Sequence, residues 1–173
     1  KFNNDYKVPN FFPCPEPIIE KTSPRIMSLR DGSKKMSKSE TSDMSRINLT
    51  DVSDQIALKI RKAKTDQDPI PEDISGLASR PEASNLINIY SSFKECNVQE
   101  VLNDFSGKPF SFFKPKLTEL IINEIKPISK KINDLLKNPD QIDNVMKNGA
   151  EKASEISSPI IESTFKILGL KNN

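Results

Sequence analysis

Apolar residues recur at helical spacing through most of the chain after residue 50. Steps of three and four residues predict five helices, separated by polar or proline-containing segments. The apolar positions are Val52, Ile56, Ile60 and Ala63 in the first helix; Leu86, Ile87, Tyr90 and Phe93 in the second; Val101, Leu102 and Phe105 in the third; Leu117, Ile121, Ile125, Ile128, Ile132 and Leu135 in the fourth; and Ile142, Met146, Gly149, Ala153, Ile156 and Ile160 in the fifth. Charged residues interrupt every stripe, so we expect these faces to form the core of a helical bundle. The cluster Phe105, Phe110, Phe112 and Phe113 is likewise expected to serve packing rather than the stacking of bases.

Helix-capping residues support several of these boundaries. Thr50 or Asp51 is expected to cap the first helix, and Asn97 the third, where a glutamate follows at the capping-box position. Asn138 followed by Pro139 predicts the start of the fifth helix.

The first 45 residues follow a different pattern. Five prolines within residues 1–24 predict an extended loop, and the alternating residues 25–29, RIMSL, predict a strand. The segment RDGS at residues 30–33 predicts a turn, and the lysine-rich stretch KKMSKSE follows at residues 34–40. Because the chain opens on Lys1 rather than methionine, we expect it to be part of a longer protein.

The amino-acid composition excludes several kinds of chemistry but does not identify the function. The chain has 26 basic and 24 acidic residues, so bulk charge does not indicate a polyanionic partner. It has no histidine, which removes the commonest general base and every histidine-activated nucleophile. We expect no metal site, and we expect Cys14 and Cys96 to be reduced thiols of a cytoplasmic protein. No apolar run is long enough to cross a membrane.

The stretch Lys35-Met36-Ser37-Lys38-Ser39 resembles the signature loop of class I aminoacyl-tRNA synthetases. The flanking sequence PRIMSLRDGSKKMSKSE at residues 24–40 is similar to that of the bacterial tryptophanyl-tRNA synthetases, and so are NLINIYS at 85–91, KPISKKI at 126–132 and GAEKASEI at 149–156. Lysines on flexible stems suit the charge that develops on departing pyrophosphate, and small serines let backbone N–H groups approach phosphate oxygens.

The resemblance implies a mainly α fold, in which a C-terminal helical bundle follows a remnant of a Rossmann-like α/β catalytic domain. It assigns residues 1–45, with their strand and lysine loop, to the end of that catalytic domain, and residues 46–173 to a helical domain that binds the tRNA anticodon. The implied activity is that of a tryptophan–tRNA ligase, which uses ATP and Mg²⁺ to make tryptophanyl-adenylate and transfers the acyl group to tRNA(Trp). The implied enzyme is cytoplasmic and a homodimer.

The same resemblance suggests individual site residues. Ile26 and Met36 are expected beside the adenine of ATP, Ile26 through its backbone. Lys35 and Lys38 are expected to act on the phosphates as the catalytic pair. Ser37 and Ser39 are expected to bind the phosphates with them.

The family's histidine-containing ATP motif and its tryptophan pocket belong to an N-terminal half, so we expect this chain alone to be inactive and to need that half as its partner.

Two alternatives to this interpretation remain. A stand-alone helical tRNA-binding module is the first alternative, for which the basic segment Lys59, Arg61, Lys62 and Lys64 could form the contact surface. The second is tyrosyl-tRNA synthetase, because nothing in the loop chemistry selects the amino acid.

Overall fold

The computed structural model describes residues 1–19 and 25–170 and is mainly helical. The helices are α1 (Phe2–Asp5), α2 (Ser53–Lys62), α3 (Pro81–Lys94), α4 (Val98–Phe105), α5 (Phe110–Leu136) and α6 (Pro139–Leu168), with short 3-10 turns at Asp43–Ser45 and Ile74–Leu77. Helices α2 to α6 correspond to the five predicted ones. None of the helices in the described ranges is both long and apolar enough to cross a bilayer.

The chain divides into two compact units. One comprises Ile19–Asn133, and the other combines Lys1–Ile18 with Asp134–Asn173. The division predicted at residue 45 on grounds of family resemblance stays a prediction.

The core of the Ile19–Asn133 unit is built by α2 to α5 together with Leu29, which precedes the lysine-rich stretch. Ile26, Met36 and Ile47 pack against this core from outside. The buried apolar residues are Leu29, Ile56, Ile60, Ala63, Ile70, Leu77, Ala83, Leu86, Ile87, Ile89, Val101, Leu102, Phe105, Phe110, Phe113, Leu117, Ile121 and Ile125. The predicted apolar positions of α2 to α4 and of the first half of α5 therefore lie mostly in one core, whereas Val52, Ile128 and Leu135 are exposed. The segment 26–47 packs on this core through its own apolar residues.

The phenylalanine cluster largely confirms the packing interpretation. Phe105, Phe110 and Phe113 are buried, and the rings of Phe105 and Phe113 meet edge to face with their centroids 4.9 Å apart. Phe112 alone is exposed, and the Lys108 ammonium lies 5.0 Å from its ring centroid.

Three local predictions were wrong. The strand expected over residues 25–29 is reduced to one isolated bridge between Met27 and Lys35. The expected extended loop begins instead with α1, whose Phe2 ring contacts Tyr6, and its last residues, 20–24, lie outside the described ranges. Neither Thr50 nor Asp51 caps α2, which has Val52 at the capping position. The Asp51 carboxylate accepts instead from the Asn48 N–H and from the Lys59 ammonium. By contrast, Asn97 caps α4 as predicted by accepting a hydrogen bond from the Glu100 N–H at 2.9 Å.

The stripe on α6 does not form a core in this chain. No described residue of the helix is buried, and Ile156 is 71% exposed. A helical period shows that a face can be covered, but it does not say what covers it. The exposed apolar residues of α6 are Val145, Met146, Ile156, Ile160, Ile161, Phe165 and Leu168.

Candidate functional site

The lysine-rich stretch forms one side of a short two-stranded ribbon, defined here as residues 26–36. The Ser28 N–H donates to the Lys34 carbonyl at 2.8 Å, and the Met36 N–H donates to the Ile26 carbonyl at 3.0 Å. Between these bonds, Met27 lies opposite Lys35 in an antiparallel bridge. The ribbon therefore places Ile26 beside Met36, the two residues expected at the adenine.

The turn of the ribbon is closed by Asp31. Its carboxylate accepts from the Ser33 hydroxyl at 2.6 Å and from the Ser33 N–H at 3.1 Å. These bonds lower the pKa of Asp31, and an ion pair with Lys34 at 3.3 Å contributes to the shift. The first lysine of the stretch is thus engaged with its own turn.

Gly32 lies against the first turn of α3. A Cβ at this position would be 2.6 Å from both the Pro81 carbonyl carbon and the Glu82 nitrogen. Glu82 also forms an ion pair with Lys64 at 2.7 Å, which is the main reason that its pKa is lowered. The turn needs a glycine because two backbones approach each other closely here.

The signature loop, defined as residues 35–39, projects from the ribbon into solvent. Lys35, Ser37, Lys38 and Ser39 are all exposed, whereas Met36 is half-buried. The Ser39 N–H donates to the Ser37 hydroxyl at 3.3 Å, and the two hydroxyls are 2.9 Å apart. Within the described residues, neither Lys35 nor Lys38 forms an ion pair, so both charges are available to an anion.

The exit of the loop is fixed by Arg46. Its guanidinium donates to the Glu40 carbonyl at 2.9 Å and pairs with Asp43 at 3.1 Å. Asp43 in turn pairs with Lys59 of α2 at 2.7 Å, and Lys59 reaches the buried Asp51 at 2.5 Å. The pKa of Asp43 is lowered mainly by its bond to Lys59. This ion network, which we call the exit network, connects the loop to the helical core.

Two of the four residues in the predicted basic surface are paired with acidic side chains, and one of the two, Lys59, is buried. Lys59 is only 2% exposed and belongs to the exit network, while Lys64 pairs with Glu82. Arg61 and Lys62 remain exposed. The segment therefore offers a polyanion fewer charges than its sequence indicates.

Sequence reasoning missed the residues that hold the loop in place. Arg46 belongs to no motif, Asp51 was considered only as a helix cap, and Lys59 was considered only as part of a possible contact surface. The position of Lys59 was the available signal of its burial, because it lies on the same face of α2 as the apolar residues Ile56 and Ile60. Among the described residues, no group of three or more His, Cys, Asp or Glu is arranged to hold a metal ion. Cys14 and Cys96 are free thiols, in agreement with the sequence.

Comparison with known protein families gives one match over most of the chain. The family model described as tRNA synthetases class I (W and Y) matches residues 1–126. A tryptophan–tRNA ligase of Caulobacter vibrioides is 47% identical over 169 residues, which are 98% of this chain and 49% of that relative. A tryptophan–tRNA ligase of Mesorhizobium japonicum is 43% identical and is covered to 53%. The chain thus spans about half the length of the curated relatives it matches.

Solved structures show the same relation. The tryptophanyl-tRNA synthetase from Mycoplasma pneumoniae aligns over 98% of this chain and 52% of its own, with a TM-score of 0.80 and 25% identity. The Campylobacter jejuni tryptophanyl-tRNA synthetase complexed with ADP and tryptophan aligns with a TM-score of 0.62 over 97% of this chain and 50% of its own. At 24% identity, that second alignment supports the fold alone.

Proposed function

Because the chain belongs to the class I tRNA synthetases of the tryptophan and tyrosine family, we propose that it is the C-terminal part of a tryptophan–tRNA ligase. In the proposed reaction, tryptophan and ATP form tryptophanyl-adenylate and pyrophosphate, and the acyl group then moves to the terminal ribose of tRNA(Trp). The choice of tryptophan is supported by relatives of that name that match nearly the whole chain.

One structural observation carries the proposal. Lys35 and Lys38 are exposed at the end of a ribbon whose base is joined to the helical core, and they form no ion pair with any residue that the structure describes, whereas Lys34 is paired with Asp31. Two free ammonium groups on a fixed base can meet phosphate oxygens without first breaking protein ion pairs. Preorganised donors of this kind stabilise charge that develops in a transition state.

The other predicted residues take complementary roles in the proposal. Ile26 and Met36, held side by side, flank the adenine. Ser37 and Ser39 contact the phosphates, and the weak bond between the Ser39 N–H and the Ser37 hydroxyl can be exchanged for a bond to a phosphate oxygen. Mg²⁺ would be held chiefly by the phosphates of ATP, as is usual for Mg²⁺ in nucleotide sites, and would neutralise part of their charge.

The remaining parts of the proposal concern the complete enzyme. We assign residues 1–45 to the end of its catalytic domain and residues 46–173 to its anticodon-binding domain. The complete enzyme is a cytoplasmic homodimer in this proposal, and its N-terminal half supplies the tryptophan pocket. The isolated chain therefore makes no adenylate.

The test uses pyrophosphate exchange by the complete enzyme that contains this chain. Lys35→Ala and Lys38→Ala are each expected to lower kcat by about a hundredfold to a thousandfold, the usual loss for a donor to transition-state charge. The KM for tryptophan should stay within about twofold, because neither lysine acts on the amino acid. Lys34→Ala is the matched control and should change little.

Three results would contradict the proposal. Equal losses of kcat in the three lysine variants would show that the loop contributes only its total positive charge. Exchange that depends on tyrosine instead of tryptophan would establish the sister enzyme. Tryptophan-dependent exchange by the isolated chain would overturn the assignment of half the site to another segment.

A further inference from the structure

A buried side chain of α3, the carboxamide of Asn85, binds the ribbon through the backbone of Met27. The Met27 N–H donates to Asn85 Oδ1 at 2.9 Å, and Asn85 Nδ2 donates to the Met27 carbonyl at 2.8 Å. The same amide nitrogen lies 3.5 Å from the Ser28 carbonyl. Asn85 is 4% exposed, so these bonds are shielded from water.

The two bonds make the carboxamide act as a neighbouring strand would. A carboxamide has the donor and acceptor geometry of a peptide group, so it can satisfy both polar groups of one residue. Met27 is the ribbon residue opposite Lys35, and the next residue towards the N-terminus is Ile26. The contact therefore fixes the backbone between the two ends of the proposed ATP site.

Core packing alone does not require asparagine at this position. Its neighbours in the apolar stripe of α3, Leu86 and Ile87, are fully buried, and an apolar side chain would suit the environment of residue 85 as well. An apolar residue would, however, leave the Met27 N–H and carbonyl without these partners, and unsatisfied buried groups are costly. The function of Asn85 is thus directed at the ribbon, 58 residues away in sequence.

We propose that Asn85 is a positioning residue for the ATP site, which sets the distance between the adenine end at Ile26 and the phosphate end at Lys35. This inference rests on the proposed function, because the ATP site at this ribbon is part of that proposal. Asn85 itself does not contact the nucleotide. It acts through the peptide of Met27.

Two substitutions separate the two bonds. Asn85→Ser removes both of them, because the shorter side chain does not reach the Met27 backbone. Asn85→Asp keeps an acceptor for the Met27 N–H but removes the donor to the Met27 carbonyl. Ser91→Ala is the matched control, since Ser91 is a fully buried polar residue of the same helix whose hydroxyl donates to the Cys96 carbonyl, away from the ribbon.

The first measurement is amide hydrogen exchange on the full 173-residue chain, resolved at Met27. Asn85→Ser should speed exchange of the Met27 amide by about tenfold or more relative to the helical amides of α3, because its hydrogen-bond acceptor is gone. Ser91→Ala should leave Met27 unchanged. If Met27 exchanges at the wild-type rate in Asn85→Ser, the positioning role is wrong.

The second measurement is pyrophosphate exchange by the complete enzyme. Both Asn85 variants should lower kcat/KM for ATP by about tenfold to a hundredfold, with the KM for tryptophan within about twofold of wild type. Asn85→Asp decides the matter if Asn85→Ser fails to fold. Losses no larger than those of Ser91→Ala would overturn the inference.

The two measurements keep this inference apart from the proposed function. A wild-type complete enzyme without tryptophan-dependent exchange refutes the proposed function, and the inference about ATP falls with it. Hydrogen exchange would still show whether Asn85 holds the ribbon. An active enzyme whose Asn85 variants retain full activity refutes the inference alone.

Discussion

The close approach of Gly32 to α3 gives the sharpest test of how the ribbon is attached to the core. Gly32→Ala adds a single carbon atom, which would be 2.6 Å from backbone atoms of Pro81 and Glu82. Backbone atoms at the start of a helix cannot rotate away as the end of a flexible side chain can. The turn and α3 would have to separate by several tenths of an ångström.

Overpacking of this kind costs about 1–3 kcal/mol. The φ angle of Gly32 is not in the left-handed region, so conformational strain adds nothing to this cost. We therefore expect Gly32→Ala to lower the free energy of unfolding of the Ile19–Asn133 unit by about 2 kcal/mol. The separation also moves the ribbon, so pyrophosphate exchange by the complete enzyme should fall as well.

The assay is denaturant unfolding followed by far-ultraviolet circular dichroism, with two other glycines as controls. Gly149 lies within α6 with no atom close to its added Cβ, so Gly149→Ala should stabilise the helix by about 0.5–1 kcal/mol. Gly107 also has open space but a φ of 71°, so Gly107→Ala should cost about 1–2 kcal/mol from strain alone. Stability of Gly32→Ala equal to wild type would show that the turn does not rest on α3.

Two further predictions concern charges around the loop. Lys59→Ala leaves the buried Asp51 without its ammonium partner and should lower the free energy of unfolding by about 3–5 kcal/mol. Arg61→Ala, on the exposed side of the same helix, should change it by no more than about 0.5 kcal/mol. Equal losses for the two variants in denaturant unfolding would contradict the exit network. The pKa of Glu82 is lowered in the folded protein, so its stabilising contribution is present above the ordinary carboxyl pKa of 4.5 and is lost as pH falls through the lower, folded value. Wild type should therefore lose stability more steeply than Glu82→Gln on acidification below about pH 4.5, and parallel pH profiles of unfolding would show that the ion pair with Lys64 contributes nothing.

The features predicted correctly from sequence are local ones. The period of apolar residues such as Leu117, Ile121 and Ile125 located α5, because each helical turn presents its side chains independently of the rest of the fold. Asn97 identified the start of α4 because its side chain accepts from the Glu100 N–H, a bond made within four residues. The phosphate chemistry expected of residues 35–39 rests on their composition together with the flanking sequence, and it stays a prediction.

The features that were missed depend on residues far apart in the chain. The bond between Asn85 and Met27 joins residues 58 positions apart, and neither residue type predicts such a contact. Lys59 has a charge that usually indicates exposure, yet Asp43 and Asp51, which both precede α2, pair with its ammonium and make its burial possible. The strand predicted at residues 25–29 forms only a bridge at Met27, whose own N–H and carbonyl bond to the side chain of Asn85.

The exposure of the signature loop determines which screens can detect harmful substitutions in it. The side chains of Lys35, Ser37, Lys38 and Ser39 lie outside the buried core, while backbone bonds and the flanking residues hold the loop in place. A selection for solubility or heat tolerance would pass over nearly every substitution at these four positions. Under the role proposed for these residues, their loss would be detected only when turnover is measured, so a library screened for folding alone would retain inactive variants.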